Sequence, residues 1–563
     1  MARFPVNSNA PIESASERAQ RRKQAGTYKR LLIFCDGTGQ QTDAPVACPE
    51  TKTWTESAQS WLPWNKAPAL SDKDAQATDH NEWVPASNVT RLCRIIADVD
   101  YTKDGKEIEQ MTFYQNGVAT GALTALGETW SGAFGVGLNE NICEAYVWLC
   151  LNWIPGDGLV VFMIIEIFIF GFSRGAFTAR ALSGLIFHLG MIDRSNLGEF
   201  HSIYDAYTKR AEASHAQAWK NKKKQLQEDG LGCSDLDIVK IKVVGVWDTV
   251  KSLGMPENER VRRWMKSIGW DRKHAFHDAF TCENVENAFH ALALDEKRAA
   301  FSPTLWYLPP TAAAGAAKTH LQQCWFSGAH SDVGGSYADA QPFDSSDLSL
   351  LWMIRQCRPL LAFNNKCLER ELEPYEALRW WGAQPLHDSY TLQFYLNGQE
   401  IRRPGQYFEM QDVAAPAEVG PRNELVHASV RLRLLRARML ETQKKASGRG
   451  VENAMMGLRV KADDDELSDR YDCRAMAGFR LALVNPAEPR KGYKWVKKID
   501  GGKVVELIED QLGEDERNML DHRVRELLDD PAKNVGVEFP ELHAAETGSK
   551  TPGMLGKVWG YLG

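Results

Sequence analysis

Several things are missing from this sequence, and each absence narrows what the chain can be. There is no Cys-x-x-Cys pair, and the eleven cysteines are odd in number. That argues against a disulfide framework or a zinc-ribbon site, and for reduced thiols in a cytoplasmic compartment. No apolar run is long enough to span a bilayer: the longest, Leu159 to Phe170, is interrupted by Glu166. Residues 1–30 carry Arg18, Arg21, Arg22 and Lys23 but no apolar segment of the kind a secretory leader needs. Excess positive charge is lacking too. A formal charge of −7 and an isoelectric point near 6.1 give no electrostatic footprint for nucleic acid. No internal repeat and no metal-ligand spacing stand out, so neither metal nor cofactor is expected.

What is present is an ordinary globular composition, 44% hydrophobic and 25% charged over 563 residues, enough for a large core. One stretch organises the rest. The apolar run Ile167-Phe168-Ile169-Phe170 leads into Gly171-Phe172-Ser173-Arg174-Gly175, and a helical pattern from Ala176 to Leu189 leads out. Strand, sharp turn with a serine, helix is the context in which G-x-S-x-G acts as a nucleophile elbow. The flanking glycines leave room where a side chain would strike the adjoining strand and helix. The first helical N–H, that of Arg174, would point at an oxyanion formed on Ser173.

Three further strand ends carry chemistry. Arg30 to Cys35 reads as a buried parallel strand ending in Asp36-Gly37-Thr38-Gly39, a glycine-rich turn suited to an anion, with the N–H of Gly37 or Thr38 as donor. Ile238 to Trp247 is the clearest later strand, and it delivers Asp248 where the orienting acid of a triad belongs. Cys324-Trp325-Phe326 opens into Ser327-Gly328-Ala329-His330-Ser331-Asp332-Val333-Gly334-Gly335, a glycine-rich loop with the exposure and reach a general base needs. The order Ser173, Asp248, His330 is that of α/β-hydrolases. His290, His387 and His427 compete with His330 for the base.

The intervening chain supplies scaffold. Residues 1–28 read as a disordered arm and 41–85 as a long surface insertion. Ser87 caps a helix through Ile96; Met111 to Tyr114 is a second strand; Asn139 to Trp153 is a helix. The run before the elbow is longer than a buried strand requires, so Gly158 to Ile165 is a bulge or an insertion. Residues 202–228 read as one polar helix and Glu286 to Arg298 as another. Val261, Trp264, Met265 and Ile268 repeat at helical spacing among basic residues. Residues 260–268 therefore suit transient contact with a membrane surface, or a helix packed on the core. Beyond 435 the chain turns highly charged, with one peripheral strand at 492–496. The expected division is an arm (1–28), a catalytic domain (29–435) and a charged C-terminal extension packed on or beside it (436–563).

Taken together, the blocks Leu32 to Gly39, Gly171 to Arg180, Gly245 to Val250 and Trp325 to Gly335 resemble the signatures of an α/β-hydrolase family that includes the phospholipase effectors of bacterial type VI secretion. The resemblance runs over roughly residues 29–435. It implies a mostly parallel sheet flanked by helices, with long loop insertions. It also implies a Ser173–Asp248–His330 triad acting on an ester bond of lipid or phospholipid type. Arg174, Gly37 and Thr38 would bind the oxyanion, with Asp36 and Asp332 in support and Asp36 paired to Arg174. The sequence departs from the family at Gly158 to Ile165 and at Ser336, where a third glycine is usual. Two rival readings stay open: a metal-assisted phosphoesterase gathering Asp36, Asp248, His330 and Asp332, and a binding module with a relic site.

Overall fold

A strand buried on both faces reads as a nearly continuous apolar run, and Leu31 to Cys35, Ile167 to Phe170 and Val243 to Trp247 are of this kind. The structure is a computed structural model. It describes residues 28–37, 86–101, 107–117, 138–153, 164–210, 214–228, 239–250, 282–308, 319–337, 344–372, 386–389, 399–407, 422–436, 473–488, 492–499, 502–513 and six positions between 516 and 534. Among them are strands β1 (Tyr28–Cys35), β2 (Val99–Tyr101), β3 (Glu107–Gln115), β4 (Ile164–Phe172), β5 (Ile241–Trp247), β6 (Val285–Ala293), β7 (His320–Phe326), β8 (Glu424–His427), β9 (Arg480–Leu483), β10 (Tyr493–Lys498) and β11 (Val504–Asp510). Among the helices are α1 (Asn88–Ile95), α2 (Leu138–Asn152), α3 (Arg174–Leu189), α4 (Phe200–Thr208), α5 (Ala216–Glu228), α6 (His330–Gly334), α7 (Ser345–Cys357) and α8 (Asn365–Glu371).

All eleven strands join one sheet in the order β2-β3-β1-β4-β5-β6-β7-β8-β11-β10-β9. The stretch from β3 to β11 is parallel, whereas β2, β10 and β9 run antiparallel to their neighbours. Side chains alternate across it. On β1 and β4, Leu31, Ile33, Ile167 and Ile169 enter a core shared with α2, α3 and α4. Leu32, Phe34, Phe168 and Phe170 enter a second core under α1, α7 and α8. This is a three-layer α/β fold. A third cluster, holding Trp325, Val426, Phe479 and Trp495, covers the far side of the sheet beneath β8 to β11.

The chain leaves β1 toward β3 and then crosses back to β4, so the carboxyl ends of β1 and β4 flank a switch point, where ligands of open α/β sheets bind. β4 pairs with β1 without slippage from Tyr28↔Ile164 to Cys35↔Gly171. The irregularity of the pre-elbow run is a shift against β5 between Ile167 and Phe168; residues 158–163 lie outside the described residues.

Away from the site, the structure departs from the sequence reading in three elements. The stretch predicted as a helix from Glu286 is strand β6, paired in parallel with β5 and β7. Its alanines suit a helix. Two ladder partners and burial on both faces decide the matter, an instance of tertiary context overriding local propensity. The polar helix over 202–228 is two, α4 and α5. The single strand expected near 492–496 is one of three that extend the sheet from β8. The arm before residue 28, the insertion 41–85 and residues 260–268 lie outside the described residues. No helix among the described residues is long and apolar enough to cross a membrane.

Candidate functional site

The elbow forms because its glycines allow three backbone segments to touch. A Cβ at Gly175 would lie 2.1 Å from the carbonyl oxygen of Cys35, and one at Gly171 would lie 2.4 Å from that of Gly175. With both positions bare, α3 can start directly against the ends of β1 and β4. Ser173 then sits at φ 57° and ψ −119°, a conformation a side-chain-bearing residue adopts only when its surroundings enforce it. Its N–H donates to the Trp247 carbonyl (3.1 Å) and its carbonyl accepts from Phe177 N–H (3.3 Å), which pins the turn to β5 and α3. The hydroxyl makes no capping bond to the helix.

Asp248 follows β5 directly, also at positive φ (37°), and is fully buried. Its Oδ2 accepts from His330 Nδ1 at 2.6 Å. Its Oδ1 accepts from Ala293 N–H at 3.0 Å. The buried guanidinium of Arg402 grips both oxygens, Nη1 to Oδ1 at 2.5 Å and Nη2 to Oδ2 at 2.9 Å. Burial opposes the charge on Asp248. The Arg402 guanidinium and the His330 hydrogen bond outweigh it and hold the carboxyl well below the usual carboxylate range.

His330 is the first residue of α6 rather than a loop residue. Its backbone N–H donates to Glu296 Oε2 (3.2 Å). The imidazole is stacked by Phe172 (centroids 4.7 Å apart) and edged by Phe301 (4.9 Å). Since a carboxylate only accepts, Nδ1 carries the proton and Nε2 offers a lone pair. That Nε2 is buried and meets no hydrogen-bond partner among the described residues. Phe172, which stacks on the ring, is the residue that precedes Ser173. The serine and the imidazole therefore share one end of the sheet.

Glu296 is the support that sequence reasoning passed over. It accepts from Arg298 through both oxygens (2.9 and 2.8 Å) and from Ser389 Oγ (2.9 Å). Burial would raise its pKa. The Arg298 hydrogen bonds and charge, with Arg402 and His330 behind them, bring it down to about 2. Arg402 was also missed. It belongs to no motif, and nothing local in the sequence marks an arginine 154 residues from its partner.

The supporting residues sort differently from expectation. Asp36 Oδ2 accepts from Ser87 Oγ (2.7 Å), Thr90 Oγ1 (2.7 Å) and Tyr114 OH (2.5 Å), so three hydroxyls take up the carboxylate rather than Arg174. Burial nonetheless raises its pKa above the ordinary carboxylate value. Gly37 is in place, since a Cβ there would lie 3.4 Å from the Ser173 Cβ. Its N–H, however, is already donated to Asp36 Oδ1 (2.6 Å), so it is not free for an oxyanion. Thr38 lies outside the described residues. Arg174 N–H opens α3 beside the serine, and burial brings its guanidinium down to about 10.

Asp332 caps α6 through Ala329 N–H (2.8 Å) and binds His387 Nδ1 (2.5 Å). His427 contacts Ser429 Oγ (2.9 Å) and Glu516 (3.3 Å). His290 accepts from Thr249 N–H (3.1 Å) and, through burial, has its pKa brought down to about 3. Of the four histidines weighed for the base, His330 is the one against Asp248. The four groups weighed as metal ligands do not gather: Asp36 and Asp332 serve separate partners, and no three metal-ligating side chains converge among the described residues.

The chain is similar to several known proteins. A protein of Saccharomyces cerevisiae, Uncharacterized protein YEL023C, is 26% identical over 229 residues, covering 38% of this chain and 29% of its own length. The Tle1 effector bound to the VgrG spike of the type 6 secretion system is 18% identical, covering 61% of this chain and 56% of its own, with a TM-score of 0.28. An uncharacterized protein from Pseudomonas aeruginosa is 15% identical, covering 94% of this chain and 66% of its own, with a TM-score of 0.31. Residues 29–356, more than half of the chain, match the family described as "T6SS, Phospholipase effector Tle1-like, catalytic domain", and the chain belongs to that family.

Proposed function

We propose that the protein is a serine hydrolase that cleaves carboxylic ester bonds of lipid or phospholipid type through an acyl-enzyme. The observation that carries this reading is the 2.6 Å contact between Asp248 and His330 Nδ1, with an Nε2 that meets no partner among the described residues, at the sheet end that holds the strained Ser173. Ser173 Oγ attacks the ester carbonyl while His330 Nε2 takes its proton. Asp248 keeps the imidazole in the right tautomer and stabilises its charged form. The N–H groups of Arg174 and Thr38 receive the oxyanion; losing one such donor costs about 3 kcal/mol. Protonation by His330 expels the alcohol, and water activated by the same nitrogen releases the acid.

Lipid as the substrate class rests on family membership. Residues 260–268, with apolar positions at helical spacing among basic ones, are the segment we assign to transient contact with a lipid surface. None of the nine described cysteines is in a disulfide, which suits a cytoplasmic setting. The test is labelling by a fluorophosphonate probe, wild type against Ser173→Ala, followed by an ester-chain-length panel and product analysis on phosphatidylcholine vesicles. Labelling lost in Ser173→Ala, with hydrolysis of acyl esters, is expected. A folded wild type that neither labels nor hydrolyses any acyl ester overturns the proposal.

A further inference from the structure

Arg402 stands outside the residues matched to the family, in the segment 399–407, yet it reaches the centre of the site. The arginine is 2% exposed, and each of its terminal nitrogens donates to one oxygen of Asp248 and to one backbone carbonyl. Nη1 donates to Asp248 Oδ1 and to the Ala293 carbonyl (2.6 Å), while Ala293 N–H donates to that same Oδ1. Nη2 donates to Asp248 Oδ2 and to the Phe301 carbonyl (2.8 Å), and the Phe301 ring packs edge-on against the imidazole. A buried ion pair is a poor device for stability, because its desolvation cost rivals its Coulombic gain. It is a good device for fixing orientation, because a planar fork on a carboxylate permits one rotamer.

Resting on the serine-hydrolase reading above, we propose that Arg402 is a positioning residue of the reaction: its fork locks the Asp248 carboxylate in the plane that meets His330 Nδ1. The catalytic unit would then extend past residue 356 to take in this segment. The charge state follows from the same geometry. Asp248 is faced by His330 from α6, by His290 from β6 and by Arg402; Glu296, paired with Arg298 after β6, faces His330 and Arg402 in turn. Of these, Arg402 holds it through two charge-assisted hydrogen bonds.

The experiment compares Arg402→Met and Arg402→Lys in the wild-type and Asp248→Asn backgrounds. It reads kcat and KM for a short-chain ester from pH 5 to 9, with fluorophosphonate labelling and circular dichroism on each variant. Arg402→Met is expected to lower kcat by about 100-fold or more with KM little changed, as misorientation of a triad does. The acidic limb of kcat/KM should move up by about one pH unit, because removing the Arg402 cation leaves a protonated imidazole beside Asp248 less disfavoured. Arg402→Lys restores charge without the fork and should recover only part of kcat. In the Asp248→Asn background the Met substitution should cost less than about 3-fold, since its target is gone. Should Arg402→Met not fold, Arg402→Lys and the Asp248→Asn/Arg402→Met double variant, which buries no lone charge, carry the same comparison. Wild-type kcat and pH limb in both Arg402 variants, or an undiminished Met penalty in the Asp248→Asn background, overturns the role of Arg402. A wild type that is neither labelled nor active overturns instead the hydrolase reading on which it rests.

Discussion

The placement of Ser173 depends on backbone segments closer than side chains permit, and Gly175→Ala is the perturbation that tests this. The added Cβ would start 2.1 Å from the Cys35 carbonyl oxygen and 2.5 Å from that of Asp36, both backbone atoms of the β1 end. Real Cβ contacts essentially never fall below 3.0 Å, so the gap between α3 and β1 must open by about 0.9 Å. Neither side yields easily, since β1 is hydrogen-bonded to β3 and β4 and both are buried. Overpacking of this kind costs about 1–3 kcal/mol. A displacement of about 1 Å at a reacting atom costs about 100-fold in rate. The expected outcome is a lowered urea midpoint and a kcat/KM reduced by about two orders of magnitude, read on an activated ester by stopped assay. Gly184→Ala on the same helix is the control. Its Cβ would meet only Tyr207 OH at an ordinary 3.6 Å, so it should gain up to about 1 kcal/mol of helix propensity and keep its activity. A Gly175→Ala enzyme with the midpoint and kcat/KM of wild type would refute the close-contact account of the elbow.

Other outcomes follow from the buried charges. Glu296→Gln should destabilise the fold at pH 7 by about 1–3 kcal/mol. The Glu296 carboxyl sits at about 2 in the folded chain against an ordinary 4.5. Its contribution is therefore complete above pH 4.5 and fades as pH falls through 2, so the urea-midpoint gap between variant and wild type should narrow at pH 3; an equal gap at both pH values counts against this. For His290 the sign is reversed. Its folded pKa of about 3 lies below the ordinary 6.5, so the unfolded chain takes up a proton the folded one refuses, and stability should fall as pH drops from 6.5 toward 3. His290→Gln should flatten that slope in a pH series of denaturant titrations. Asp36→Asn removes an acceptor on which three hydroxyls converge, and should lower both thermal midpoint and kcat while leaving KM near its wild-type value. Unchanged melting would show that the hydroxyls find other partners.

The sequence by itself determined those parts of the fold whose cause is local. Unbroken apolar runs, Leu31 to Cys35, Ile167 to Phe172 and Val243 to Trp247, had to be strands with both faces buried, and they form the carboxyl-terminal parts of Tyr28–Cys35, Ile164–Phe172 and Ile241–Trp247. Glycines two residues either side of Ser173 marked a turn made by close backbone approach, because no other residue leaves that space. Asp248 and His330 were legible as acid and imidazole at strand ends, and their pairing then required only that parallel neighbours present the same end. Tertiary structure alone decided the remainder. Val285–Ala293 is a strand because two neighbours offer it hydrogen bonds, which no window of its own residues reveals. Asp36 turned to Ser87, Thr90 and Tyr114, and not to Arg174, because α1 and β3 fold over it. Arg402 and Glu296 acquire their roles through contacts with residues far along the chain. An isolated arginine in a sequence looks like a solvated charge; it becomes the partner of a buried carboxylate only when the fold removes the water from both.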